Sequence, residues 1–198
     1  MKQIVFFASG SGSNLQAVID AIEQGKIKAH IGGLITNKDG IKALERAEKH
    51  HIPTKILNPS SFSHTQKYEQ ALADTLKKWQ PNLIVLAGYL LKIPASIIRA
   101  YKNRMINIHP SLLPKFGGKG LYGINVHRAV LNRGETQSGC SVHIVTEEYD
   151  QGPVLAQRTV PVYKTDTPEN LSKRVLQQEH QLLPEVINKL LTDSNSKA

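Results

Sequence analysis

The sequence predicts an α/β fold with a Rossmann-like, open and mostly parallel twisted sheet, helices on both faces and an antiparallel hairpin near the C-terminal end. Two observations support this prediction. Apolar runs rich in β-branched residues alternate with amphipathic segments along the first half of the chain, as in parallel strands joined by helical crossovers. After residue 110, two further strand patterns flank one turn, which is typical of a hairpin.

Each element has its own signal in the chain. Continuous apolar runs predict strands at 3–9, 30–37, 54–57, 82–88, 105–109, 140–146 and 153–162. Apolar residues that recur every three or four positions predict helices at 15–22, 41–50, 66–79 and 126–134. One long helix closes the chain, with Thr167 as its expected N-cap and Pro168 as its first residue. We expect one domain over residues 1–198, of which 192–198 form a frayed tail.

Composition narrows the class of protein. The 25 basic and 16 acidic residues give a formal net charge of +9, but the basic residues are scattered and do not interleave with aromatic ones. This favours an anionic small molecule over nucleic acid as the partner. The single Cys140 excludes an internal disulfide and suits a reducing cytoplasm. No apolar stretch is long enough to span a bilayer, so we expect no membrane partner.

The stretch SGSGSNL (9–15) joins the first strand to the first helix. Glycines let backbone N–H groups converge there, and the helix N-terminus adds partial positive charge, so we predict a phosphate site at Gly12, Ser13 and Asn14. A dinucleotide-binding fingerprint would need a third glycine where Leu15 stands, and a Walker loop would need Gly-Lys-Ser/Thr. The remaining alternative is a plain turn with Ser13 as the helix cap.

The strand MINIH carries two polar side chains on one face. Asn107 and His109 are two positions apart, and alternate residues of a strand point the same way. They lie at the C-terminal end of the strand, where open α/β sheets bind their ligands. The amide can donate to a carbonyl oxygen, and the imidazole can donate or exchange a proton near neutral pH. The alternative is a core histidine bonded to backbone.

Asp150, in the turn TEEYDQG, is the best candidate to orient His109. A carboxylate beside the imidazole is expected to raise the pKa of His109 and keep it cationic. The alternative is a turn aspartate bonded to its own backbone. A zinc site of His109, His127 and His143 has no short ligand spacing in its favour. A hydrolase triad through Ser111 has no G-x-S-x-G elbow.

Glu179 falls on the apolar stripe of the last helix, beside Leu171, Val175, Leu182 and Val186. A buried carboxylate is costly unless it is bonded. Its partner is expected to be a lysine, a backbone N–H, or a hydroxyl or amine of a ligand.

Six stretches resemble, in order, the motifs of the phosphoribosylglycinamide formyltransferases, a family of folate-dependent formyltransferases: SGSGSNLQAVI, LIVLAGYLLKI, INIHPSLLPKF, HRAVLNRG, GCSVHIVTEEYDQGPVLAQ and RVLQQEH. The resemblance covers nearly the whole chain. It implies formyl transfer from 10-formyltetrahydrofolate, a cosubstrate, to the amine of glycinamide ribonucleotide in purine biosynthesis, with no metal and with a monomer or homodimer as the working unit.

The resemblance also implies residue roles. The catalytic residues of the family match Asn107, His109 and Asp150, with Asn107 and cationic His109 stabilising a tetrahedral oxyanion. The contacts of the family to the substrate phosphate and ribose match Gly12, Ser13, Asn14, Pro110 and Glu179. The folate-binding residues match Leu90, Leu91, Lys92, Ile93, Asn107, Thr146, Glu147, Glu148, Tyr149 and Asp150, with Thr65 as a further candidate.

The chain departs from the family pattern at four places. The loop KFGGKGLYGINVHR is longer than the short form of the family, and Asn125 stands where a histidine is common. Leu91 and Thr65 each stand where the family often has an arginine, although Lys92 follows Leu91. These departures affect loop closure and the contacts to the folate tail rather than the chemistry.

Three rival functions remain. Methionyl-tRNA formyltransferases resemble this domain but carry a C-terminal extension, for which we expect no room in 198 residues. Formyltetrahydrofolate hydrolases carry an N-terminal regulatory domain, whereas here the first strand is expected from Gln3. A non-catalytic nucleotide-binding module would use only the glycine loop, and its binding would be indifferent to His109 and Asp150.

Overall fold

The computed structural model describes residues 1–193 as a single seven-stranded sheet flanked by six α-helices. The strands are β1 Lys2–Phe7, β2 Ala29–Thr36, β3 Thr54–Ile56, β4 Leu83–Ala87, β5 Met105–His109, β6 Gln137–Ile144 and β7 Val154–Pro161. The helices are α1 Ser13–Glu23, α2 Lys42–Lys49, α3 Thr65–Trp79, α4 Ala95–Ala100, α5 Ile124–Asn132 and α6 Pro168–Asp193. A short 3-10 helix, Pro59–Ser61, precedes α3.

The strand order is β3-β2-β1-β4-β5-β6-β7. The first five of these strands are parallel, β6 is antiparallel to β5, and β6 and β7 form a hairpin. This confirms the predicted fold class. In the β5–β6 ladder Asn107 pairs with His143 and His109 pairs with Ser141. The register therefore brings a second histidine beside the polar face of β5.

The sheet is buried on both faces. Ile4 and Phe6 of β1 belong to the core under α1, α2, α5 and α6, whereas Val5 and Phe7 belong to the core under α3 and α4. Successive side chains of a strand point to opposite faces, so a strand covered on both sides must be apolar throughout. This is why the central strands appear in the sequence as continuous apolar runs.

The long last helix begins as predicted. The Thr167 hydroxyl accepts a hydrogen bond from the backbone N–H of Asn170 at 3.2 Å, and Pro168 is the first helical residue. Thr192 and Asp193, predicted as the start of a frayed tail, belong to α6, and the rest of that tail, 194–198, lies outside the described residues. Over residues 1–193 no helix combines the length and apolar character that crossing a membrane requires.

Candidate active site

A cavity of about 800 Å³ opens at the carboxyl ends of β1, β4 and β5. Strand β1 has β2 on one side and β4 on the other. The chain that follows β1 leads to β2 on one side, and the chain that follows β3 returns to β4 on the other side. Open α/β sheets bind their ligands at such a reversal of strand order. Every residue predicted for the site lines this cavity except Thr65. Thr65 is the exposed first residue of α3, outside the lining.

The loop between β1 and α1 presents free N–H groups to this cavity. Gly12 precedes the helix in a left-handed conformation, with φ of 67°, which glycine adopts without steric cost. No side chain caps the helix, so the alternative of Ser13 as a cap is wrong. Within residues 1–193, the N–H groups of Gly12, Ser13 and Asn14 donate to no acceptor. Such a helix N-terminus attracts anions.

Glu179 of α6 is buried at the same end of the cavity. Its carboxylate accepts a hydrogen bond from the side-chain amide of Asn14 at 2.7 Å. The predicted need for a partner is confirmed, and the partner is an amide rather than a lysine or backbone group. Burial raises the pKa of Glu179, and the amide hydrogen bond only partly offsets this effect. The Oδ1 atom of Asn14 is buried with no partner among the described residues.

The polar face of β5 lines the cavity. The Asn107 amide lies 3.0 Å from His143 Nε2. His143 Nδ1 donates to the carbonyl of Ile144 at 2.9 Å, so in that tautomer Nε2 accepts from Asn107. An amide nitrogen has two hydrogens, and the second one remains for a ligand.

His109 is 5% exposed and binds the long loop rather than open solvent. Its Nε2 donates to the carbonyl of Phe116 at 2.9 Å, and its Nδ1 lies 3.7 Å from Asp150 Oδ2. The predicted pairing with Asp150 is present, but the predicted rise in pKa is wrong for this arrangement. Burial lowers the pKa of His109, and the opposing effects of Asp150 and the Phe116 carbonyl are smaller.

Asp150 is held by groups from three parts of the chain. Its Oδ2 accepts from the Gly118 N–H at 2.8 Å, and its Oδ1 lies 3.4 Å from His143 Nε2. Burial acts to raise the pKa of Asp150, but the opposing effects of His143, His109 and the Gly118 N–H are larger in sum and lower it. His143 contributes as a donor only when its Nε2 carries a hydrogen, and not in the tautomer in which Nε2 accepts from Asn107. Its backbone φ is 53°, a left-handed conformation that Asp and Asn tolerate better than most residues. These bonds extend well beyond its own turn.

Two further histidines, His127 and His143, line the cavity, and neither was predicted from the sequence as part of the site. His143 was named only as a conceivable zinc ligand, and its position beside Asn107 follows from the β5–β6 register. His127 of α5 is 2% exposed, its Nδ1 has no partner within residues 1–193, and burial lowers its pKa to about 4. Within the described residues no group of three or more His, Cys, Asp or Glu is arranged to hold a metal ion.

Two other segments also line the cavity, 90–93 after β4 and 146–150 before β7. The Ser9 hydroxyl accepts from the Leu90 N–H at 3.0 Å and donates to Asn37 at 2.6 Å, which ties the first segment to the end of β1. Lys92 Nζ lies 5.4 Å from the ring centre of Tyr149, a cation–π contact between the two segments.

The departures from the resembling family differ in their relation to the cavity. The long loop lies in it, because residues 118–123 line the cavity. The loop also contacts His109 through Phe116 and Asp150 through Gly118. Leu91 and Lys92 line the cavity in the segment after β4, with the Lys92 side chain exposed. Asn125 is exposed on α5, where its side-chain oxygen accepts from Arg128 at 2.9 Å, and it does not line the cavity.

Known proteins share both sequence and fold with this chain. A family model described as formyl transferase matches residues 2–187. Phosphoribosylglycinamide formyltransferase of Escherichia coli is 40% identical over 93% of this chain and 85% of its own length. The chloroplastic enzyme of that name from Vigna unguiculata is 44% identical over 96% of the chain, which spans only 61% of that relative. The chain thus covers about three-fifths of the length of this plant relative.

A solved structure gives the same result for the fold. The phosphoribosylglycinamide formyltransferase of Bacillus halodurans superimposes with a TM-score of 0.90 and 35% identity, covering 98% of this chain and 97% of its own. The match of the family model over most of the sequence, together with these relatives, shows that the chain belongs to the formyl transferase family.

Proposed function

We propose that this protein transfers the formyl group of 10-formyltetrahydrofolate to the amine of glycinamide ribonucleotide, giving formylglycinamide ribonucleotide and tetrahydrofolate in purine biosynthesis. One observation carries the proposal. A single cavity is lined by a helix N-terminus with free N–H groups, by the Asn107–His109–Asp150 group and by segments 90–93 and 146–150. The names of the relatives in Escherichia coli and Bacillus halodurans support the same substrate.

Glycinamide ribonucleotide is assigned to the end near α1. The free N–H groups of Gly12, Ser13 and Asn14 suit the phosphate. Glu179 is the proposed acceptor for ribose hydroxyls, and Pro110, which follows β5 and also lines the cavity, is the proposed apolar contact. The basic balance of the chain favours this anionic substrate over a neutral one.

The folate is assigned to the part of the cavity that segments 90–93 and 146–150 line, and the total volume of about 800 Å³ is in the range of small-molecule sites. The residues proposed to contact it are Leu90, Leu91, Lys92, Ile93, Asn107, Thr146, Glu147, Glu148, Tyr149 and Asp150. Thr65 is not part of this proposal, because it lies outside the cavity lining.

The reaction requires one bond to form and one to break. The substrate amine attacks the formyl carbon, the carbonyl oxygen becomes an oxyanion, and the carbon–nitrogen bond to the folate then breaks. The free hydrogen of the Asn107 amide and the Nε2–H of His109 are the donors for the oxyanion. His109 Nε2 donates to the Phe116 carbonyl here. We therefore infer that the reacting oxygen replaces Phe116 as its acceptor.

The charge of His109 follows the reaction. Burial favours the neutral ring before the reaction, and an oxyanion forming beside it favours the cation. While its Nε2–H binds the oxyanion, His109 can take up a proton only at Nδ1, which lies 3.7 Å from Asp150 Oδ2, so Asp150 stabilises the cation that forms. The attacking amine loses one proton and the departing folate nitrogen gains one, so that none is gained or lost overall.

The chain is also proposed to act as one formyltransferase domain, as a monomer or homodimer, in a reducing cytoplasm. Cys140 supports the reducing compartment, because it is a free and buried thiol in β6. Sedimentation of the protein in the presence and absence of glycinamide ribonucleotide distinguishes the two assembly states.

The test is formyl transfer itself. Purified protein is mixed with both substrates and the folate absorbance is followed, with one reaction lacking the amine to measure hydrolysis. We expect folate turnover that depends on glycinamide ribonucleotide, and a loss of most of kcat in His109→Ala, which should still fold and unfold cooperatively. Turnover without the amine identifies a hydrolase. Phosphate binding without turnover identifies a nucleotide-binding module.

A further inference from the structure

Helix α2 supports the phosphate loop from the side opposite to the cavity. The backbone N–H of Ala43 donates to the carbonyl of Gly10 at 3.2 Å. Arg46 Nε donates to the carbonyl of Ser11 at 3.0 Å. The packing is close, because a Cβ atom on Gly12 would lie only 2.8 Å from Ala43. A single helix thus binds two consecutive carbonyl groups of the loop.

These two hydrogen bonds orient the loop's donors. In a trans peptide unit the C=O and the following N–H point in opposite directions. Because the carbonyls of Gly10 and Ser11 point toward α2, the N–H groups of Ser11 and Gly12 point away from it. Gly10, Ser11 and Gly12 line the 800 Å³ cavity, and Ala43 and Arg46 do not. The N–H groups therefore face the proposed phosphate position.

Arg46 also brings a positive charge that no carboxylate neutralises by direct contact. Its Nη1 donates to the side-chain oxygen of Gln16 at 3.1 Å, and no salt bridge within residues 1–193 includes it. The carboxylate of Asp20 is connected to Arg46 only through Gln16, whose side-chain amide donates to Asp20. Arg46 lines a separate groove of about 530 Å³ between α1 and α6, behind the loop.

We propose that Arg46 is a positioning residue for the substrate phosphate. It acts through the loop, by holding the Ser11 carbonyl so that the N–H groups face the phosphate, and by placing its charge behind them without touching the substrate. The inference rests on the proposed function, in which this loop binds the phosphate of glycinamide ribonucleotide. A purely structural arginine is the alternative, and it predicts equal losses for substrates with and without a phosphate.

The experiment compares two substrates in three variants. Arg46→Met removes the charge and the donors. Arg46→Gln removes the charge but has an amide nitrogen at the level of the arginine Nε, so it can still donate to the Ser11 carbonyl. Lys49→Met is the matched control, because it removes the same charge from an exposed position of α2 that lies in neither groove nor cavity. The substrates are glycinamide ribonucleotide and its dephosphorylated riboside.

We expect kcat/KM for the ribonucleotide to fall by about tenfold in Arg46→Met, which loses both the charge and the orienting bond, and by less in Arg46→Gln, which loses the charge alone. The value for the riboside should stay unchanged, and Lys49→Met should match the wild type on both. Equal losses on both substrates, or no loss on the ribonucleotide, would overturn the inference.

A second measurement is independent of turnover. Inorganic phosphate should raise the unfolding temperature of the wild type and of Lys49→Met, and raise it less in the Arg46 variants, because a ligand that binds the native state stabilises it. An equal rise in all variants would also overturn the inference. If the wild type transfers no formyl group to the ribonucleotide, the proposed function fails, while this measurement still decides the role of Arg46.

Discussion

Asp150→Asn is the substitution that best isolates the electrostatic role assigned to Asp150. It removes the negative charge and keeps the shape of the side chain. The side-chain oxygen of asparagine can still accept from the Gly118 N–H, which donates to Asp150 at 2.8 Å. The left-handed backbone at this position, with φ of 53°, also suits asparagine. The loop contact and the fold should therefore survive.

The size of the effect follows from the distance between the two groups. Asp150 Oδ2 lies 3.7 Å from His109 Nδ1, and the two side chains are 12% and 6% exposed. At an effective dielectric constant of about 20, a unit charge pair at this distance is worth roughly 4 kcal/mol. Because the His109 cation is proposed to form during the reaction, losing this interaction in Asp150→Asn should lower kcat by about 10³-fold.

The pH profile supplies the second readout. Asp150 acts to raise the pKa of His109, so its removal should lower that pKa further and move the dependence of kcat on His109 to lower pH. Kinetics are measured from pH 5 to 9 in the wild type, Asp150→Asn and Asp74→Asn, an exposed control on α3 with the same change in charge. A kcat within threefold of the wild type and an unmoved profile would refute the reasoning.

Three further outcomes are expected. His127 has a pKa of about 4 in the folded protein and about 6.5 in the unfolded chain, so as the pH falls the unfolded state binds a proton first. The free energy of unfolding should therefore fall by about 3 kcal/mol between pH 7 and 4 from this group alone. Urea unfolding of His127→Gln should show a weaker pH dependence than that of the wild type. Glu179→Gln should raise the melting temperature at pH 7, because it removes a buried carboxylate while the glutamine oxygen still accepts from Asn14. The same variant should have a higher KM for glycinamide ribonucleotide. A lowered melting temperature would contradict the expected gain in stability. Ser9→Ala removes the acceptor of the Leu90 N–H and should raise the KM for folate severalfold, whereas an unchanged KM would show that the hydroxyl does not position that segment.

Local pattern was sufficient for the parts of the site that depend on periodicity. Strand alternation placed Asn107 and His109 on one face, and helical periodicity placed Glu179 on the buried stripe of α6. Both periodicities follow from backbone geometry alone, so they hold in any fold that buries these elements. The order of the strands and of five of the six described helices was predictable for the same reason, whereas the six-residue α4 is too short to give a periodic signal.

Contacts across the fold were not predictable in this way. His143 reaches Asn107 through the register between β5 and β6, and Asp150 reaches Gly118 across 32 positions of sequence. The glycine-rich loop has no periodic signal, so its hydrogen bond from His109 to Phe116 has no trace in local sequence. The pKa of His109 was mispredicted because a sequence reveals a charged neighbour but does not reveal how much water is removed.

Water exclusion connects the resting site to its proposed chemistry. Burial disfavours a charged His109, and its Nε2–H has the Phe116 carbonyl as acceptor, so before the reaction the ring is neutral and its donor is occupied. An oxyanion that forms inside the same cavity is poorly solvated by water and therefore interacts strongly with the few donors present. It can compete with the neutral carbonyl for the Nε2–H, since a hydrogen bond to a charged acceptor is the stronger one. The burial that lowers the pKa of His109 at rest thus makes its protonation depend on the negative charge of the transition state.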